Sequence, residues 1–273
     1  MQPIFTLGRF VFAAAIFAFG VENLWVAHSA QNFVPVMPWV PAFQPLAYLT
    51  GLALAAGGIA IATNLRPRLA SLALGVFFLV CAVLIQAPRV IAHPLDIGIR
   101  TTAFETLTMC AASLILAGTL PVERFHSPQW ERAEFALTRS GRYLFAVSCL
   151  VFGVDHLPIL AFIASLIPAW IPGAFFWAWF TAAAFLAAGV SIAVGVWARW
   201  AAAMLGLMFA LWVLVLHGPR VASYPKSHNP DEWSSALIAL AICGGSWILA
   251  GSLSVEAPQR AVNREHAQIV LNR

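Results

Sequence analysis

Long uninterrupted runs of apolar residues, separated by short connections that hold most of the arginines, organise this chain. Such runs cover residues 9–28, 45–64, 68–87 and 99–120 and, after a polar stretch, 142–163, 173–197, 198–217 and 233–253. Most reach the ~20 residues that a helix needs to cross hydrocarbon. They are continuous rather than alternating with period two, which predicts helices and not the strands of a barrel. The expected fold is an all-α membrane protein with eight transmembrane helices. The first run has the make-up of a signal peptide, with a positive start and small residues near Ala27 to Ala30. Its likeness to residues 142–163 argues for a true span, because a cleaved segment has no reason to recur mid-chain.

That likeness extends along the chain. Laying Arg142 over Arg9 brings Phe152-Gly153-Val154 onto Phe19-Gly20-Val21 and sets Asp155 on Glu22. With the register changed by two residues, Trp170 meets Trp39, Pro172 meets Pro41, Gly189 meets Gly58, Arg199 meets Arg68, and Pro219-Arg220-Val221 meets Pro88-Arg89-Val90. The original register returns at the end, where Cys243-Gly-Gly-Ser246 meets Cys110-Ala-Ala-Ser113 and Ile-Leu-Ala-Gly follows in both. Two parallel four-helix repeats are expected: a first membrane unit over residues 1–120, a linker over 121–141, a second unit over 142–253 and a polar, mobile tail over 254–273. An even number of spans per unit gives both the same orientation, with a pseudo-twofold axis along the membrane normal, as in parallel-repeat transporters.

Composition supports lipid as the main solvent. The chain is 61% hydrophobic and 10% charged, with mean hydropathy +0.84, whereas soluble domains carry roughly 25% charged residues. The net charge of +4 needs no nucleic acid to explain it. Of the 15 Lys and Arg, eleven fall on the N-terminal side of the spans. The other four, Arg89, Arg100, Arg220 and Lys226, fall on the opposite side. The positive-inside rule then places both termini in the cytoplasm. In the linker, Ser127 as N-cap and Pro128 at the first helical position announce a helix. Trp130, Phe135 and Leu137 among arginines leave it open between a surface-lying helix and a plain polar connection. The uncharged Trp/Pro stretches at 31–41 and 164–172 are expected to fold back at the outer interface as lids.

Polar groups inside the spans are the candidate chemistry. Glu22 and Asp155 each lie thirteen residues beyond Arg9 and Arg142, about 20 Å up the helix, or some 10 Å below the outer edge of a ~30 Å core. Arg89 and Arg220 lie at that edge, and a flexible stem lets an arginine lean toward an acid. Ion pairs Glu22–Arg89 and Asp155–Arg220 are therefore expected, because an unpaired acid in mid-span costs about 2.5–3.5 kcal/mol. Glu105 shares this depth. His156 and His217 could ligate a metal or haem. Their counterparts Asn23 and Gln86 are poor ligands but good hydrogen-bonding groups, so a hydrogen-bond network without metal is expected. Cys81, Cys110, Cys149 and Cys243 lie within spans and form no Cys-x-x-Cys, which argues against thiol–disulfide chemistry. No phosphate loop, nucleophile elbow or zinc-protease motif occurs.

The Phe-Gly-Val-Asp-His at 152–156, the Trp-Ile-Pro at 170–172, the FLAAGV at 185–190 and the His-Gly-Pro-Arg at 217–220 together resemble the DoxX-like family of four-helix membrane proteins. The resemblance covers residues 142–251 best and 9–118 more weakly, so the chain is similar to a fused pair. It implies a four-helix membrane unit and an association with membrane redox processes, the family being named after a thiosulfate:quinone oxidoreductase. It supplies no catalytic residues to carry over. The expected function is a subunit of a membrane-linked redox system binding a quinone-like or other apolar molecule near the outer leaflet. Asp155, His156, His217, Arg220 and Trp170 would line that site, with Glu22, Arg89 and Glu105 as the lesser set, and no cofactor is required by the sequence. One alternative is a structural or assembly subunit of a membrane complex, with the acid–arginine pairs as folding locks. Another is a transporter of small solutes or lipids, against which no span is clearly broken at mid-depth.

Overall fold

The protein is described by a computed structural model, which covers residues 2–29, 44–120, 128–223 and 230–271. Among these, every regular element is helical. Helix α1 spans Pro3–Ser29, α2 Gln44–Ala62, α3 Pro67–Cys81, α4 Ala87–Ala92 and α5 Ile97–Thr119. Then come α6 at Pro128–His156, α7 at Leu160–Leu166, α8 at Ala174–Val194, α9 at Ala198–Trp212, α10 at Gly218–Ser223 and α11 at Pro230–Leu271. Among the described residues, eight helical stretches are long and apolar enough to cross a membrane, as expected. The protein is thus an all-helical, multi-pass membrane protein.

Several boundaries differ from the sequence reading, each for a local reason. The linker helix begins at Pro128, but it neither stops nor turns before the fifth span. Ser140 and Gly141 do not break it, since Gly141 sits against α5, where a Cβ would lie 2.7 Å from the Ala111 carbonyl oxygen. The third and seventh spans do not end before Pro88 and Pro219. A proline lacks the N–H for the preceding turn and its ring crowds the carbonyl four residues back. Here the helix widens into a π turn, Ala82–Gln86 before α4 and Val213–His217 before α10, and continues to Ala92 and Ser223. The last helix likewise runs past Leu253 to Leu271, where a mobile tail was expected. The Trp/Pro stretch at 31–41 lies outside the described residues.

Packing follows a ring. Each helix meets its chain neighbour within the first set, α1 on α2, α2 on α3 and α3 on α5, and within the second, α6 on α8, α8 on α9 and α9 on α11. The ring closes across the two sets: α5 packs on α6, and α11 returns to α1. Helices α5 and α11 also touch each other, and the span 232–253 is the most buried of the eight, followed by α5. Small residues permit these approaches. A Cβ on Gly245 would stand 2.8 Å from the Ala112 methyl, and one on Gly8 would stand 2.7 Å from the Gly244 carbonyl oxygen. Around this core the outward surface is apolar, with Leu52, Leu84, Trp179, Trp200 and Leu214 exposed, as lipid contact requires.

Buried arginines brace the end of the bundle that holds the α2–α3 and α8–α9 turns. Arg9 donates from Nε to the Ile61 carbonyl at 3.0 Å, and Arg142 from Nε to the Ile192 carbonyl at 2.7 Å. These are final-turn carbonyls of α2 and α8, which have no partner within their own helices. The guanidinium satisfies them and faces the negative end of the helix dipole. The α8–α9 turn needs left-handed backbone at Gly195 (φ 89°), and a Cβ there would also press on the Arg142 guanidinium at 2.8 Å. In the α2–α3 turn, Asn64 and Arg66 take left-handed backbone (φ 64° and 46°).

Candidate functional site

Asp155 ends the buried face of α6 and is 2% exposed. Its partner is not Arg220, as the sequence suggested, but Arg100 from the first turn of α5. Arg100 donates from Nε to Asp155 Oδ1 at 2.8 Å, and Nη2 donates to the same oxygen. Nη1 is held by the Pro94 carbonyl at 2.9 Å, and Asp96 caps α5 by accepting from the Ile99 N–H at 3.0 Å. Arg100 is thereby aimed across the seam between the two sets of helices. The reason for the difference is azimuthal. Rise per residue puts Arg220 at a suitable height, but α6 turns Asp155 toward α5.

Arg220 has other partners. It donates to the Leu166 carbonyl at 3.2 Å and lies 4.0 Å from Glu232 at the start of the last span. Glu22 accepts from the Ser234 hydroxyl at 3.2 Å, again across the seam, since Ser234 belongs to α11. Arg89 donates from Nη1 to Gln86 Oε1 at 3.3 Å. Both acids of the first helices therefore meet the fourth helix of the opposite set. Neither Arg100 as an ion-pair partner nor Ser234 stood out in the sequence. The signal for Arg100 was its height, a few residues outward of Glu105 on a span that otherwise lacks basic residues.

His156 and its counterpart Asn23 have separate roles. Asn23 Nδ2 donates to Thr50 Oγ1 at 2.8 Å and to the Ala47 carbonyl at 3.2 Å, joining α1 to α2. His156 instead turns back on its own helix, with Nδ1 2.7 Å from the Phe152 carbonyl oxygen. A carbonyl only accepts, so Nδ1 carries the proton, and in the neutral ring Nε2 is an acceptor. The imidazole lies in an aromatic nest, 6.3 Å from and nearly parallel to Trp212 and 5.2 Å from Phe185, with Phe209 beside both. Nε2 is buried and has no hydrogen-bond partner among the described residues. His217, the last residue of the π turn that follows Trp212, also has a buried, unpartnered nitrogen, Nδ1. So does Gln86, with Nε2, at the matching place in the other π turn.

The expected constellation is thus partly dispersed. His156 and the Trp212–His217 segment are neighbours through the aromatic nest. Asp155 faces the opposite way, toward α5. Arg220 is engaged with Leu166 and Glu232, and Trp170 is 73% exposed in the segment before α8. That segment is tied down by Trp177, whose Nε1 donates to the Pro172 carbonyl at 3.2 Å. Glu105 is partly buried and makes no hydrogen bond or ion pair among the described residues. Among those residues, no group of three His, Cys, Asp or Glu is placed to hold a metal ion. Comparison with protein-family models, with curated proteins and with solved structures gives no match.

Proposed function

We propose that this is a DoxX-like membrane subunit, built as a tandem duplication, that holds a quinone-like or other apolar, oxygen-bearing molecule beside His156. The single observation that carries the binding role is His156 Nε2, a buried ring nitrogen in an aromatic nest without a partner among the described residues. Buried polar atoms in native proteins are nearly always hydrogen-bonded, and an orphan calls for a ligand, a water or a moving part. Aromatic walls with one convergent polar atom suit a flat apolar ring. With Nδ1 committed to Phe152, neutral His156 would accept from the hydroxyl of a reduced, quinol-like ring, and as imidazolium it would donate to the carbonyl of the oxidised form. Arg220, expected from the sequence to line the site, has the Leu166 carbonyl and Glu232 as partners and takes no part in it.

Duplication is supported by features beyond letter matches. The α3, π-turn and α4 series has the same lengths as the α9, π-turn and α10 series. The left-handed pair Asn64 and Arg66 falls on Gly195 and Trp197, and Arg9 and Arg142 make the same kind of contact. The distribution of arginines supports cytoplasmic termini, and the setting that goes with this reading is a bacterial inner membrane.

The test is a titration of purified protein with short-chain ubiquinone and menaquinone analogues, each oxidised and reduced. Quenching of tryptophan fluorescence and a raised Tm are expected, and both are expected to be lost in His156→Asn, which installs the residue found at position 23. No response in the unmodified protein would end this reading. A second reading, an assembly subunit, is favoured by the Arg100–Asp155 bond across the seam. It would be preferred if Asp155→Asn lowered membrane levels and ligand response was absent throughout.

A further inference from the structure

A groove of about 380 Å³ opens on the lipid-facing side between α2 and α3. Its floor is small: Ala53, Ala56, Gly57 and Ala60 come from α2, and Ala70 and Ala73 from α3. Arg66 is the one charged residue in its lining. The two helices meet at a turn, so Arg66 stands at the end of both spans, at headgroup level. Ala53 lies thirteen residues before it and Phe77 eleven after, so the groove reaches roughly 16–20 Å into the hydrocarbon. The Arg66 side chain is exposed and its guanidinium makes no hydrogen bond or ion pair among the described residues. A cation at one end of a narrow apolar trough has the polarity of a phospholipid, one charged head and one long chain. A partner helix would instead need an apolar strip across the full ~30 Å of the core.

The corresponding surface between α8 and α9 is not such a trough. There Trp197 stands where Arg66 stands, Trp200 where Leu69 stands, Met204 where Ala73 stands and Ala188 where Gly57 stands. Trp197 and Trp200 are 81% and 67% exposed, bulky rings where the first set has Arg66 and Leu69, and Met204 projects where the first set has only the Ala73 methyl.

We propose that the α2–α3 groove binds one anionic phospholipid, its phosphate on Arg66 and one acyl chain along the Ala53–Ala73 trough. Arginine pairs with phosphate through two parallel N–H groups and keeps its charge at any relevant pH. The chain half of the site excludes no lipid, so the headgroup sets the selectivity. One arginine at an anionic surface corresponds to a preference of about fivefold.

The experiment uses the full-length protein, delipidated in maltoside and titrated with dioleoyl phosphatidylglycerol or dioleoyl phosphatidylcholine, with lipid adducts counted by native mass spectrometry. The unmodified protein is expected to retain one phosphatidylglycerol about fivefold more tightly than phosphatidylcholine. Arg66→Asn, a residue that tolerates left-handed backbone, is expected to abolish that preference while leaving weak binding of both lipids. Ala73→Met, which places the second set's residue on an exposed face and so spares the fold, is expected to weaken both. Equal retention of the two lipids by the unmodified protein would overturn the proposal, as would a preference that survives Arg66→Asn. A dimer that Ala73→Met dissociates would overturn it in favour of a second copy of the chain.

Discussion

The Arg100–Asp155 bond ties the two halves of the ring together at the α5–α6 seam, and its strength can be measured. Asp155 is 2% exposed on its side chain and Arg100 25%, so the acid is fully withdrawn and the base partly so. Arg100→Gln leaves a carboxylate in an apolar wall with only a neutral amide nearby. Breaking a buried pair in this way costs about 3–5 kcal/mol, and the partial exposure of Arg100 places this case at the low end, near 3 kcal/mol. Asp155→Asn leaves Arg100 with its bond to the Pro94 carbonyl and some access to solvent, so the loss is that of a charge-assisted hydrogen bond, about 1.5–3 kcal/mol. The double variant restores a neutral donor–acceptor pair and is expected to be more stable than the sum of the single losses by about 2 kcal/mol, within the range for residues in contact. Unfolding in mixed detergent–dodecylsulfate micelles, followed by the fluorescence of the 11 tryptophans, gives all three values. Additivity within about 0.5 kcal/mol would refute a direct bond. Coupling of Asp155→Asn to Arg220→Gln instead would restore the pairing first expected from the sequence.

Other substitutions probe other joints. Arg142→Gln removes the donors to the Ile192 and Ala193 carbonyls and is expected to cost about 1–3 kcal/mol in the same unfolding assay; an unchanged midpoint would mean water replaces the guanidinium. Gly20→Ala pushes a methyl onto the Ala55 backbone, whereas Gly98→Ala meets only Asp96 Oδ1 at 3.4 Å. The first is expected to lose about 1–3 kcal/mol by overpacking, and the second to lie within about 0.5 kcal/mol of the parent. Pro219→Ala supplies the N–H that the π turn lacks, and hydrogen–deuterium exchange across 213–219 is expected to slow as the helix tightens. Unchanged exchange there would assign the π turn to another cause.

Height along each span was legible in the sequence, and direction around it was not. Apolar runs and a constant rise were enough to place eight helices and to bring Glu22, Asp155, Arg89 and Arg220 to neighbouring levels. In a soluble helix the polar face then says which side points outward. Here the helices are apolar all round, because lipid and core are alike in polarity, so nothing local distinguishes an Asp155 turned to α9 from one turned to α5. The same ambiguity hid Arg9 and Arg142. The positive-inside rule assigned them to the membrane edge on sufficient grounds, and their burial depends on where α2 and α8 end. Pro88 and Pro219 were read as closing their spans, although a helix can widen by one residue and continue when neighbouring helices hold it. Gly141 was read as part of a linker, and the close approach of α5 that it permits becomes visible only once the helices are packed.

The crossed pairing has a consequence for how two units within one chain can diverge. On the proposed duplication, the acid of each first helix bonds through one oxygen to the fourth helix of the other unit: Asp155 Oδ1 to Arg100, and Glu22 Oε1 to Ser234 among its contacts. A change in one acid therefore bears on a residue in the other half of the sequence, and the two half-sites must change in crossed pairs rather than unit by unit. Asp155 has the shorter side chain and meets the long arginine, whereas Glu22 has the longer and meets the short serine, so each combination spans the gap. The residue after each acid is under no such constraint, because Asn23 faces its own second helix and His156 the second and third helices of its own set. That freedom explains why the position beside the acid could become a helix-joining amide in one unit and an imidazole with a spare nitrogen in the other.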